Sequence, residues 1–392
     1  MDKYHQLIKF IRNAYSTPEA FIPLHEPRFS GNEKAYVADA IDSTFVSSVG
    51  EYVNRFEQMM CDITGAKYAI ATVNGTSALH VALQLAGVEK GDEVITQALS
   101  FIATANAINY TGARPVFLDV DRHTMGLSPV TLELWLKKNV ELKEVKAGSS
   151  QSNTQSQPFN KITGRRIAAI VPMHTFGHPV ELDDIIEIAN RYNIPVVEDA
   201  AESLGSYYKN EHTGTRGILG AFSFNGNKTV TCGGGGAIVT NDEKLARIAK
   251  HITTTAKVPH PYEYTHDMVG YNYRMPNLNA ALACAQLENL KDFVINKRNW
   301  ANKLEQFCQN HELDFIKEPG NTKSNYWLNA ICLKNRDERD KVLKLLNKEG
   351  VMCRPIWTLL YKMPMYADCF RDEQTNAQWL EDRIVNIPSS VI

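Results

Sequence analysis

The chain has 392 residues, 44% of them apolar and 22% charged, and its 42 Lys and Arg against 44 Asp and Glu leave a net charge of −2. A balance this close gives no electrostatic footprint for nucleic acid or an anionic membrane surface, and no run approaches the ~18 uninterrupted apolar residues of a membrane span. Seven widely spaced cysteines without a CxxC pair speak against a disulfide framework or a zinc site, and the charged N-terminus does not read as a secretory signal, so a cytoplasmic globular protein is expected.

From about residue 65 to 240, short apolar runs alternate with helical patterns. Strands are predicted at 68–72, 92–96, 114–120, 166–172, 194–200, 220–224 and 236–240, with helices at 77–86, 101–110 and 182–192 among them. Strands separated by helices of this length imply βαβ units, and their near-continuous apolar character implies burial on both faces. The fold class expected is therefore α/β, with a mostly parallel seven-stranded sheet flanked by helices. The Ser-, Gln- and Asn-rich stretch 147–164 reads as a solvated excursion within that domain. After residue 240 come helical patterns at 242–251 and 277–310, then a strand (325–333), a helix (336–350) and a strand (351–355). This tail reads as a smaller C-terminal α+β domain. The expected division is 1–250 for the large domain with its N-terminal arm, and 251–392 for a helical connection and the small domain.

Three short motifs carry chemistry. Asn74-Gly75-Thr76-Ser77 joins a strand end to a helix start, where Gly75 allows a tight turn and two hydroxyls meet unpaired N–H groups, an arrangement suited to phosphate. Glu198-Asp199-Ala200-Ala201-Glu202 delivers acids at the carboxyl end of an apolar strand, the edge where open α/β sheets bind ligands. Phe222-Ser223-Phe224 leads to Lys228 and then to four consecutive glycines, Gly233 to Gly236, a costly run that suits close backbone approach. Singly, each has a bland explanation: a helix cap, a loop acid, a surface lysine. Together they are the parts of a pyridoxal phosphate site: a phosphate cradle, a carboxylate for the pyridine nitrogen, and a lysine for the aldehyde. Phe101 could cover the ring by offset stacking, or serve as a core residue.

With these motifs in this order, the sequence resembles the DegT/StrS-type nucleotide-sugar aminotransferases of aminotransferase fold type I. The resemblance spans nearly the whole chain, from Pro23-Leu24-His25-Glu26-Pro27 and Val46-Ser47-Ser48-Val49-Gly50, through the motifs above and the run Ser100 to Asn106, to Gly270-Tyr271-Asn272-Tyr273-Arg274-Met275. It implies that Lys228 bonds the cofactor, that Asp199 pairs with the pyridine nitrogen, and that Thr76, Ser77 and Ser223 hold the phosphate. It also implies that Asn272 reaches the cofactor phosphate of a second subunit, which places the active site at a homodimer interface. One position departs from the commoner pattern: many relatives carry an amide or imidazole where this chain has Glu202, beside the cofactor's phenolic oxygen. Two like charges there repel unless one holds a proton.

Relatives that dehydrate sugars replace the lysine with histidine, so Lys228 favours transamination, with glutamate as expected donor and a nucleotide-linked keto-sugar as acceptor. The N-terminal phrasing and the Asn160-Lys161-Ile162-Thr163-Gly164 stretch look closest to the branch acting on UDP-linked 4-keto-6-deoxy-N-acetylhexosamines for bacterial surface glycans. By the same analogy His174 and Arg354 would line the sugar or diphosphate pocket. His174 with His178 makes a poor metal pair, since Gly177 and Pro179 disfavour a helix there, and no metal is expected. The rival readings are a dehydratase, a desulfurase using Cys232, and a catalytically silent binding protein on the same fold.

Overall fold

In the computed structural model, which describes residues 2–47, 49–146 and 154–392, the apolar runs assemble into one sheet. Its strands are β1 (Tyr68–Thr72), β2 (Glu93–Gln97), β3 (Arg114–Leu118), β4 (Ile167–Val171), β5 (Val197–Asp199), β6 (Leu219–Ser223) and β7 (Gly236–Thr240). They lie in the order β1-β7-β6-β5-β4-β2-β3, with β4 and β5 joined by the parallel bridges Ile170–Val196 and Met173–Asp199. Only β7 runs antiparallel to its neighbours. The expected seven-stranded, mostly parallel sheet is what forms.

Two-residue periodicity sorts the side chains. On β2 and β4, Val94 and Val171 enter one cluster with Leu83 of helix α2 (Gly75–Leu85), Ile108 of α3 (Ile102–Tyr110) and Ile252 of α5 (Glu243–Thr253). Their neighbours Ile95 and Ile170 point the other way, onto Leu182 and Ile185 of α4 (Leu182–Arg191). Both faces are thus covered, as a parallel sheet requires. The expected helical stretch 277–310 is two helices, α6 (Asn277–Glu288) and α7 (Leu290–Asn310), which meet at Asn289.

A second, antiparallel sheet follows, with strands β8 (Asp314–Phe315), β9 (Asn329–Cys332), β10 (Arg354–Pro355) and β11 (Ile384–Ile387) in the order β8-β9-β11-β10. The first helix, α1 (Lys3–Ala14), packs Leu7, Ile8 and Ile11 onto this end of the molecule, against Trp300, Ile331 and Val342.

Within the polar stretch the structure adds a strand. Thr154–Asn160 pairs antiparallel with Val140–Lys146, so backbone hydrogen bonding makes a strand where side-chain periodicity gives no signal. Residues 147–153, like Ser48 of the Val46–Gly50 motif, lie outside the described residues. No helix among the described residues is long and apolar enough to cross a membrane.

Candidate active site

Because β1, β5 and β6 are parallel, their carboxyl ends open on one edge, and the chemistry-bearing motifs meet there. Asn74, in extended conformation, caps α2 by accepting the Ser77 N–H at 2.8 Å. Antiparallel β7 brings Gly236 between Thr72 and Ser223 at this edge. A Cβ on Gly236 would lie 2.4 Å from the Asn74 backbone, and one on Gly75 would lie 2.7 Å from the Ser223 Cβ. Glycine at both positions lets the phosphate-type turn close on the strand end, which explains the last of the four glycines. Gly75, Thr76 and Ser223 line a cavity of about 640 Å³ in front of this turn.

Asp199, Glu202, Lys228 and Phe101 line the same cavity. Asp199 Oδ2 accepts the Thr104 hydroxyl at 2.7 Å and Oδ1 accepts the Ala201 N–H at 3.2 Å. Burial pushes its carboxyl above the usual range, while Thr104, Ala201 and the Lys228 charge oppose that shift. Glu202, 3% exposed, accepts the Phe176 N–H at 2.9 Å through Oε2 and faces the Lys228 ammonium at 3.3 Å through Oε1. Burial raises its carboxyl to about 7 against the pull of Lys228. The Lys228 ammonium also sits 3.9 Å from the centre of the Trp327 ring, whose Nε1–H donates to the Asn227 carbonyl at 2.6 Å. Phe101, half exposed at the mouth of α3, presents its ring to the cavity.

The opposite wall comes from the second sheet. Arg354 and Asn386 are direct partners in the β10–β11 pairing, and both line the cavity with Trp357. The Arg354 guanidinium is exposed and has no hydrogen bond or ion pair among the described residues. The Asn386 amide nitrogen is buried without a partner among the described residues.

His174 and Ser77, expected at this site, do not line the cavity, and Asn272, expected at a second subunit's site, lies outside it. His174 does not line the cavity: its ring has no exposed surface, with Nε2 3.0 Å from Glu198 Oε2 and Nδ1 accepting the Val180 N–H at 3.3 Å. A buried acid on β5 consumes it, so the expected sugar contact is corrected to a structural pairing. Ser77 lies behind the rim, 8% exposed, its N–H spent on the Asn74 cap. Asn272 is exposed beyond the cavity wall, its backbone bridged to Thr254 and its side-chain oxygen accepting from Arg274 at 3.4 Å. Cys232, the thiol a desulfurase would need, is buried behind the glycine run and pushed up to about 12 by burial. Trp327 and Asn386 carry no sequence signal and are brought in by the fold, and Thr104, within the Ser100 to Asn106 run, is placed on Asp199 by it.

The cavity fits pyridoxal phosphate. It joins an amine, a buried acid with no cation in ion-pair contact among the described residues, and a helix N-terminus behind a turn too tight for a Cβ.

Comparison with known proteins agrees. The model of the DegT/DnrJ/EryC1/StrS aminotransferase family matches residues 27–147 and 150–391. A GDP-perosamine synthase of Escherichia coli O157:H7 is 37% identical over 369 residues, covering 94% of this chain and 93% of the relative. A GDP-perosamine synthase of Caulobacter vibrioides is 34% identical over 94% of this chain and 93% of the relative. The crystal structure of a DegT DnrJ EryC1 StrS aminotransferase from Brucella abortus superposes with a TM-score of 0.80 at 26% identity, over 91% of this chain and 90% of that one. The chain belongs to the DegT/DnrJ/EryC1/StrS aminotransferase family and is a pyridoxal-phosphate-dependent sugar aminotransferase.

Proposed function

We propose that this enzyme moves an amino group from an amino acid, glutamate by preference, to C4 of a GDP-linked 4-keto-6-deoxyhexose, in cytoplasmic supply of surface-glycan precursors. The observation that carries the reading is one cavity with Lys228, Asp199 and Glu202 on one wall and the unpaired Arg354 on the other. The curated relatives reported above are named GDP-perosamine synthases, which supports a GDP-linked sugar over the expected UDP-linked one.

Bound pyridoxal phosphate supplies an electron sink next to the carbon that gains or loses nitrogen. This chain's own residues do the rest. Thr76, Ser223 and the N–H groups opening α2 neutralise the phosphate. Asp199, steadied by Thr104 and Ala201, holds a proton on the pyridine nitrogen. Phe101 covers one ring face. The Lys228 amine anchors the cofactor and carries protons at the reacting carbon. Arg354 offers a planar fork to the diphosphate, with no carboxylate in ion-pair contact with it among the described residues. Asn272 completes a second copy's site across a homodimer. The exposed Tyr262, Tyr264 and Val269 nearby give that contact an apolar face.

The test is a coupled assay with glutamate and a panel of GDP-, UDP- and dTDP-linked 4-keto-6-deoxy sugars, with NMR of the product. Amination at C4 of the GDP sugar is expected. Preference for a UDP-linked N-acetylhexosamine would support the N-terminal motif's reading instead, and no amination of any member would overturn the assignment.

A further inference from the structure

Glu202 is the one wall residue whose charge is at odds with its expected ligand, and its position in the sheet tells which part of that ligand it meets. In the order β1-β7-β6-β5-β4, the phosphate turn (Gly75, Thr76, Ser223) stands at the β1 and β6 side. Asp199 ends β5 in the middle. Glu202 is tied to Phe176, which follows β4, on the far side from the turn. Pyridoxal phosphate carries its aldehyde between a phenolic oxygen and the phosphate-bearing arm. With the arm at the α2 end and the aldehyde at Lys228, the flank left for Glu202 Oε1, 3.3 Å from the Lys228 nitrogen, is the phenolic one.

Glu202 cannot swing away from that flank. Its Oε2 is held by the Phe176 N–H, and Phe176 sits in the left-handed region at φ +58°. The next residue, Gly177 at φ +92°, has Asn325 Oδ1 where a Cβ would go. Asn325 in turn donates to the Glu202 carbonyl at 2.9 Å and the Leu204 carbonyl at 2.8 Å. The charged groups facing the carboxyl are Lys228 from the loop after β6 and Asp199 from its own strand end. Arg354 stands across the cavity on β10, and His174, beside Phe176, is turned onto Glu198 instead.

We propose that Glu202 carries a proton whenever pyridoxal phosphate is bound and donates a hydrogen bond through it to the phenolic oxygen, so that cofactor binding takes up that proton from solvent wherever the free carboxylate is ionised. The proposal rests on the pyridoxal phosphate reading of the cavity. In the free protein Glu202 faces the Lys228 ammonium and ionises at about 7. When Lys228 bonds the aldehyde and a phenolate arrives, two like charges would share a dry corner, and a proton between them removes the repulsion. Below neutral pH the proton is already present, so Glu202 adds no slope there. Above it, Glu202 lowers affinity by about tenfold per pH unit, the slope of one linked proton.

The test is titration of the apoprotein with pyridoxal phosphate by isothermal calorimetry at about pH 8.5, in buffers of different ionisation enthalpy, for the wild type and Glu202→Gln. The wild type should take up roughly one proton more than the variant, and between about pH 7 and 9 its dissociation constant should rise more steeply than the variant's, by about one further power of ten per pH unit, the variant's remaining rise being the proton that Asp199 holds on the pyridine nitrogen. The variant should therefore hold the cofactor more tightly at the alkaline end. Equal proton uptake and equal slopes in the two proteins would overturn the proposal. Where Glu202→Gln does not fold, infrared difference spectra of the wild type decide: a protonated carboxyl stretch arising on cofactor binding at about pH 8.5 supports the proposal, and its absence overturns it. Failure of the wild type to bind pyridoxal phosphate at any pH would sink the cavity's reading as well, whereas binding without the proton sinks this inference alone.

Discussion

The two walls of the cavity are built on opposite terms. On the large-sheet wall the acids and the turn are committed in advance: Asp199 is held by Thr104 and Ala201, Glu202 by Phe176, and the Gly75 turn is closed on Ser223. On the second-sheet wall the polar groups are not. Arg354 has no partner among the described residues, and the Asn386 amide nitrogen is buried without one. Leaving a buried donor unpaired costs about 1–3 kcal/mol, and because Asn386 lines the cavity a ligand bound there can complete it. The first wall is set for a cofactor that stays, the second for a substrate that comes and goes.

The sharpest way to break the first wall is to remove its amine. Lys228→Ala should lower transamination on the order of 10³-fold or more, the scale expected when a positioned proton carrier and nucleophile is lost. Nucleotide-sugar affinity should change little, because Lys228 stands on the wall opposite Arg354. Steady-state assay with calorimetric binding checks both halves, and a variant aminating at the wild-type rate would remove Lys228 from its role.

The walls also differed in how well the sequence announced them. Each strand of the large sheet is buried on both faces, so its apolar run marks it directly. The strand ends that follow carry short-range motifs, and Gly75, Thr76, Asp199, Ser223 and Lys228 arrive in one cavity as their spacing implied. The second wall is assembled by long-range pairing, Arg354 opposite Asn386, and Asn386 stands in an ordinary strand with no turn or glycine to flag it. Trp327 escaped for the same reason, lying just before β9 within an apolar run. His174 was misread because nothing local shows that it is wholly buried. The available signal was Glu198, an acid in a strand covered on both faces, which must find a hydrogen-bonding partner on a neighbouring segment. The N-terminal phrasing that pointed to UDP sugars touches the cavity through Leu24. Among the described residues of that phrasing, Leu24 alone lines the cavity.

Breaking the second wall should leave chemistry intact and weaken substrate binding. Arg354→Ala should raise the nucleotide-sugar KM about 10- to 100-fold, the worth of one or two charge-assisted hydrogen bonds, with kcat within a few-fold. Arg354→Lys should recover part of it, keeping the charge and losing the fork.

The smallest effect, and the most telling for the comparison, is expected at Asn386. Replacing it by leucine removes the unpaired amide without opening a cavity, so the melting temperature should hold or rise slightly. The nucleotide-sugar KM should still rise, by about tenfold at most for one neutral hydrogen bond. Stability and binding then move in opposite directions, which a residue serving only the fold cannot produce. Thermal unfolding of the apoprotein and steady-state kinetics on one preparation read both. If Asn386→Leu instead lowered the melting temperature and left KM untouched, the amide would be a structural group with a buried water for partner, and the second wall would rest on Arg354 alone.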